Sequence, residues 1–121
     1  QGYGRFMTDS KGAYFFRTIK PVPYTLANVP RSPHIHIAVS TNGRRVLTSQ
    51  IGIIGDPLNA KDIVFKDLDS KALSTLMINF SPLPGSNIGE LTANFDLVLG
   101  RTAFENEEGK LRGTIGKPEG L

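Results

Sequence analysis

The chain has 121 residues, no cysteine and a formal net charge of +3. That length suits one domain with one core and is too short for two, and the lack of cysteine excludes thiolate metal sites, disulfides and a cysteine nucleophile while leaving the compartment open. No apolar run reaches the length of a membrane span, no basic stretch is interleaved with aromatics as a nucleic-acid site would require, and thirteen glycines with eight prolines favour a β-rich chain with many turns.

The first apolar run, Ala13 to Ile19, is aromatic and β-branched. It follows a turn at Asp9-Ser10-Lys11-Gly12 and stops before Pro21, which predicts a strand. Residues 20–33 hold four prolines, excluding helix and central strand. His34 to Ser40 alternates apolar and polar and predicts a second strand. Asn42-Gly43 is a hairpin turn signal, with a third strand following from about Arg45 to Ile54 and ending at Gly55-Asp56-Pro57. Asp69 and Ser70 are N-cap residues for a short helix reaching Met77. Ser81 to Gly85 reads as a loop and Leu91 to Leu99 as another strand. The fold expected is all-β, a β-sandwich of mostly antiparallel strands with at most one short helix, over residues 1–106. Residues 107–121 are expected to form a charged, Gly-rich C-terminal tail.

The only two histidines stand two apart, at 34 and 36. In a strand such residues share a face, so both imidazoles are able to serve one metal. The pair is equally compatible with ordinary polar strand positions. A cupin-type site would follow the histidines with a glutamate, but Ser40 and Thr41 stand there, and no further histidine exists for an all-imidazole site. Remaining donors must be carboxylates or tyrosines. Tyr24, in the proline-bracketed loop before the histidine strand, would be a hard anionic donor suited to iron(III). Taken alone, Tyr24 is also a plain loop tyrosine, Arg31 a solvated loop arginine and Gln50 an exposed strand residue.

The order of these residues is distinctive. Gly4-Arg5, Thr8-Asp9, Gly12, Tyr14 to Pro21, Pro23-Tyr24, Arg31-Ser32-Pro33-His34-Ile35-His36, Thr48-Ser49-Gln50, Gly55-Asp56, Phe95 to Leu99 and Phe104-Glu105-Asn106 together resemble the intradiol ring-cleavage dioxygenases over roughly residues 2–106. The resemblance implies a non-haem Fe(III) enzyme that opens a catechol-type ring, with dioxygen, between its two hydroxylated carbons. Tyr24, His34 and His36 would be metal ligands, with Tyr24 also taking a substrate proton. Arg31 would steady negative charge on the substrate, and Gln50 would lie beside the reacting ring. The family uses a second tyrosine ligand well upstream of the Gly-Arg pair; that position precedes Gln1, so an N-terminal part is expected to be missing, and Tyr3 and Tyr14 occupy other places in the motif. The partners implied are a small aromatic diol, dioxygen, and either a second copy of the chain in a homo-oligomer or a cleaved N-terminal segment.

Three departures mark the chain. The loop from Tyr24 to His34 is short, Pro30 replaces the aromatic that usually precedes the arginine, and Ile51-Gly52-Ile53-Ile54 stands where the family carries aromatics. Residues 1–50 carry seven basic residues and one acid, whereas 51–121 carry seven and ten. A basic first half inclines the site toward an anionic catechol, unless folding mixes the two halves. Three functional classes fit: an active dioxygenase, a non-catalytic β-sandwich relative serving as a binding or structural subunit, and a transthyretin-like carrier without metal.

Overall fold

The central feature is a β-hairpin whose second strand is buried along most of its length. The structure, a computed structural model, describes residues 3–106 together with the backbone of residues 111 and 112. A short hairpin opens the ordered sheet structure, β1 (Tyr24–Leu26) against β2 (Val29–Arg31). Its two-residue turn, Ala27-Asn28, has φ of 49° and 65°. The main hairpin, β3 (His34–Thr41) and β4 (Arg44–Ile53), turns in the same way at Asn42-Gly43, with φ of 51° and 74°. Both turns have positive φ at each central residue, the twist that matches right-handed antiparallel strands.

β4 is the middle strand of its sheet. It pairs antiparallel with β3 and, at its end, parallel with β5 (Met77–Ile78). The register of β3 and β4 slips between Val39 and Ser40, leaving Val46 without a partner. Val46 and Leu47, consecutive residues at this bulge, are both buried, and so are the regularly paired Ser49 to Gly52, as expected of a strand covered on both faces. Before β5 come a 3-10 turn at Asn59–Lys61 and the single short helix, α1 (Ser70–Ser74). Asp69 caps α1 by accepting from the Ala72 amide at 2.7 Å, as the sequence predicts.

Beyond β5 lie β6 (Ser81–Pro82) paired with β7 (Leu91–Thr92), and β8 (Phe104–Glu105) paired with β9 (Leu111–Arg112). β8 packs beside β4, where the buried Ser49 hydroxyl donates to the Ala103 carbonyl at 2.7 Å. The core under the sheet is Phe65, Ala72, Leu76 and Ala103, flanked by Val64, Leu68, Leu73 and Met77. Each large apolar side chain buried there contributes on the order of 1.5–3 kcal/mol. The chain is thus an all-β sandwich of mostly antiparallel strands with one short helix among the described residues, as expected.

Two predicted strands take a different form. Ala13 to Ile19 has no ladder partner among the described residues, and Phe15 and Ile19 are exposed. Of Leu91 to Leu99 only the first two residues pair, with β6. The two segments meet through side chains instead. The Tyr14 hydroxyl donates to the Phe95 carbonyl at 2.6 Å, and Arg17 faces Glu90, the residue just before the second segment, at 3.8 Å. Alternation specifies which faces a strand would present; it does not supply a neighbouring backbone at ladder distance. Most of the expected C-terminal tail lies outside the described residues. Among those described, no helix is long and apolar enough to cross a membrane.

Candidate functional site

Short connections bring the predicted site residues to one end of the main hairpin. The β1–β2 hairpin places Tyr24 opposite Arg31. Ser32-Pro33 then leads directly into β3, where His34 pairs with Gly52 and His36 with Gln50. Tyr24, Arg31, His34, His36 and Gln50 therefore gather because one strand follows a tight hairpin and pairs with the next.

His34 and His36 share a face, as their spacing requires, with ring centroids 5.0 Å apart and rings nearly perpendicular. The Tyr24 ring lies 5.6 Å from that of His34, and its hydroxyl is 3.4 Å from His34 Nε2. The other ring nitrogen decides the proton's place. His34 Nδ1 is 2.7 Å from the Ser32 carbonyl, which only accepts, so Nδ1 carries the hydrogen and Nε2 keeps a lone pair. Burial lowers the His34 pKa. The Ser32 carbonyl and Asp62 oppose that shift, and the Arg31 and His36 charges add to it. His34 is accordingly neutral near pH 7, the state in which imidazole donates to a metal.

Behind these donors lies a buried polar network. Arg31 and Gln50 are each 6 % exposed, so neither is the solvated residue that its type alone would suggest. Arg31 Nη2 donates to Gln50 Oε1 at 2.8 Å, and Gln50 Nε2 donates to Glu105 at 3.3 Å. Arg31 Nε donates to Asp62 Oδ2 at 2.9 Å. Asp62 also accepts from the Ser32 amide and hydroxyl. Sequence reasoning did not find Asp62 and gave no role to Ser32, which it placed only within the Arg31 to His36 motif. Asp62 lies 26 residues beyond the histidine pair in a polar connection, and its one sequence signal is a carboxylate two residues before the apolar pair Val64-Phe65.

The donor set fits a metal only if the phenol takes part. Among the described residues no three His, Cys, Asp or Glu groups converge. Two donors each about 2.1 Å from one first-row ion stand about 3–3.5 Å apart, which matches the Tyr24 hydroxyl and His34 Nε2. Tyr3 and Tyr14 are elsewhere: Tyr3 is solvent-exposed, and the Tyr14 hydroxyl is spent on Phe95. Beginning at the residues before Tyr24 and His34 is an open recess lined by Lys20, Pro21, Pro23, Pro33, Ile53 and Asp56 among others.

Comparison with known proteins points the same way. A family model described as Dioxygenase matches residues 2–100. The protocatechuate 3,4-dioxygenase beta chain of Burkholderia cepacia is 40% identical over 112 residues, covering 88% of this chain and 47% of that protein. Hydroxyquinol 1,2-dioxygenase of Rhodococcus opacus is 31% identical over 124 residues, covering 81% of this chain and 39% of the relative. Catechol 1,2-dioxygenase 2 of Acinetobacter lwoffii is 37% identical over 76 residues, covering 51% and 28% respectively. The chain spans about half or less of the length of these curated relatives.

Proposed function

Because the chain belongs to the intradiol ring-cleavage dioxygenase family, we propose that it binds Fe(III) through Tyr24, His34 and His36 and serves to open a catechol-type ring between its two hydroxylated carbons with dioxygen. The observation that carries this reading is the meeting of the Tyr24 hydroxyl with the lone-pair nitrogen of His34 at 3.4 Å, with the His36 ring alongside.

Iron(III), when bound, supplies Lewis acidity toward a chelated catecholate. The chain's own groups do the rest. The Tyr24 oxygen, as phenolate, accepts a proton from a catechol hydroxyl, a general-base role. His34 stays neutral and fixed in one tautomer by the Ser32 carbonyl. Arg31, its charge offset by Asp62, would present guanidinium N–H groups to negative charge developing on the substrate. Gln50, opposite His36 in the ladder, holds the Arg31 guanidinium and offers an amide beside the ring.

The relatives are named for different diols, so family membership leaves the substrate at the level of an aromatic 1,2-diol. The basic bias of residues 1–50 favours a diol bearing an anionic substituent, although the recess itself is lined by one charge of each sign, Lys20 and Asp56. Association with other chains is supported by the beta-chain designation of one relative and by exposed Phe15, Ile19, Val22 and Ile88.

The test is oxygen uptake by Fe(III)-loaded protein against a panel of catechols with and without a carboxylate. Uptake with formation of the ring-opened dicarboxylate supports the proposal. A folded, iron-loaded sample that neither changes colour with catechol nor consumes oxygen leaves the non-catalytic subunit as the better reading.

A further inference from the structure

We propose that Asp62 is a positioning residue for this site: one buried carboxylate that sets the Arg31 guanidinium and, through Ser32, the ring orientation and tautomer of His34. The inference rests on the reading of Tyr24, His34 and His36 as ligands and adds to it a residue that none of the motifs contains.

Asp62 is 1 % exposed, and its two oxygens do separate work. Oδ1 accepts from the Val64 and Phe65 amides at 2.8 and 3.3 Å. Those bonds are local; they close the turn that carries Phe65 into the core. Oδ2 accepts from Arg31 Nε at 2.9 Å, the Ser32 amide at 2.8 Å and the Ser32 hydroxyl at 3.1 Å. Those three bonds reach back thirty residues to the end of β2 and have no part in the local turn.

The Oδ2 bonds act on both halves of the site. Holding Arg31 by Nε directs Nη2 to Gln50, and Nη1 makes no hydrogen bond among the described residues. Holding Ser32 by amide and hydroxyl fixes that residue, and the following Pro33 restricts it to extended backbone. With both constraints the Ser32 carbonyl has one direction, toward His34 Nδ1–H at 2.7 Å. The hydrogen on Nδ1 is what leaves Nε2 bare beside Tyr24. A carboxylate needed only for folding would be satisfied by its Oδ1 turn and a solvated partner. This one is spent on the two residues that flank the candidate ligands, and a bracing group of that kind commonly alters metal affinity or activity by about 10–100-fold.

The experiment uses protein labelled with nitrogen-15 at histidine, metal-free, at a pH where both imidazoles are neutral. Ring nitrogen shifts are read for wild type, Asp62→Asn and Ser32→Ala, with His36 as internal reference, and Fe(III) affinity is then measured for each. The wild type is expected to hold His34 as the Nδ1–H tautomer. In Asp62→Asn the single amide oxygen serves either the local turn or the Ser32 side, not both. His34 should become a tautomer mixture while His36 is unchanged, and Fe(III) affinity should fall at least about ten-fold. Asp62→Asn that melts earlier yet keeps the His34 tautomer and the iron affinity would overturn the proposal. Should that variant fail to fold, Ser32→Ala decides: a partial shift of His34 in the same direction supports it, and an unchanged His34 overturns it. A wild type with the Nδ1–H tautomer but no Fe(III) binding would remove the metal reading alone, leaving the Asp62–His34 linkage to be judged by the tautomer data.

Discussion

Arg31 and Gln50 meet across two separate sheets, the Arg31 Nη2 donating to the Gln50 carbonyl oxygen at 2.8 Å. β2 and β4 share no ladder, so this bond joins the first hairpin to the main one alongside the Tyr24–His34 contact, and Asp62, from the connection after β4, holds Arg31 from a third side. The arrangement makes Gln50 part of the scaffold as well as a candidate neighbour of the substrate.

Gln50→Met tests that dual position. Methionine fills similar volume but leaves Arg31 Nη2 and Glu105 without their partner. A hydrogen bond to a charged group in a buried setting is worth about 1.5–3 kcal/mol. The urea midpoint should fall by a corresponding amount at an unchanged slope. A midpoint equal to wild type would mean that the Arg31–Gln50 bond adds nothing to the fold.

The Arg31–Asp62 pair should behave as a coupled unit. Their side chains are 8 % and 0 % exposed, so removing one partner leaves a charge buried and unpaired. Arg31→Met is expected to cost about 3–5 kcal/mol. Combining it with Asp62→Asn should cost clearly less than the two single losses added together. Additive losses in a chemical-denaturation cycle would show that the two groups do not interact.

Acid should weaken the fold through the same carboxylate. Burial raises the Asp62 pKa, but the bonds from Arg31, Ser32 and Val64 and the Arg31 charge outweigh it, and the net shift is downward. A folded value below the unfolded one means that the stabilisation is complete above the unfolded pKa, about 3.9. It is lost as pH falls through that value and on through the lower folded one. The melting temperature of wild type should therefore drop below about pH 4, and Asp62→Asn should start lower and decline less steeply. Parallel curves for the two proteins would refute the assignment.

Much of this was readable in the sequence, for identifiable reasons. The His34/His36 face follows from strand geometry, the Asn42-Gly43 hairpin from turn chemistry and the α1 cap from Asp69. The Ala27-Asn28 hairpin was hidden because prolines at 21, 23, 30 and 33 argue against strand, yet a short two-stranded edge ribbon tolerates Pro30 in its ladder. The segments at 13–19 and 93–99, which have no ladder partner among the described residues, show the opposite failure: their alternation is real, but pairing depends on a partner that local pattern does not reveal. Burial of Arg31 and Gln50 was not legible either. It depends on Asp62 and Glu105, which lie 31 and 55 residues away and reach them only in the folded chain.

Gly52 stands opposite His34 in the main hairpin. A Cβ there would lie 2.7 Å from the Met77 terminal methyl and 3.1 Å from both Met77 sulfur and the Phe65 ring edge. Met77 is flexible and able to give way, while Phe65 is fully packed. Gly52→Ala should destabilise by about 1–3 kcal/mol, and Gly52→Ala combined with Met77→Ala should cost clearly less than the two single losses added together. A thermally neutral Gly52→Ala would show that the contact relaxes freely.

The metal set makes the sharpest prediction. Tyr24 would supply the only anionic donor among Tyr24, His34 and His36, and it alone would give colour, because a phenolate bound to iron(III) absorbs visible light by ligand-to-metal charge transfer whereas imidazole does not. Tyr24→Phe removes one oxygen and preserves the ring beside His34, so the fold and the hairpin register should survive. The visible band should lose most of its intensity, and release of the catechol proton to the protein should slow. His36→Ala acts differently. It removes a neutral donor from a small set and leaves the phenolate, so Fe(III) affinity should fall at least about ten-fold and any iron retained should stay coloured. His36 is solvent-exposed, so this variant should melt within about 0.5 kcal/mol of wild type. That separates loss of metal from loss of fold. Titration of each protein with Fe(III), following absorbance and bound iron together, reads both effects. If Tyr24→Phe keeps the full band, the phenolate donor is another tyrosine, and if His36→Ala binds iron as tightly as wild type, the second imidazole is not a ligand.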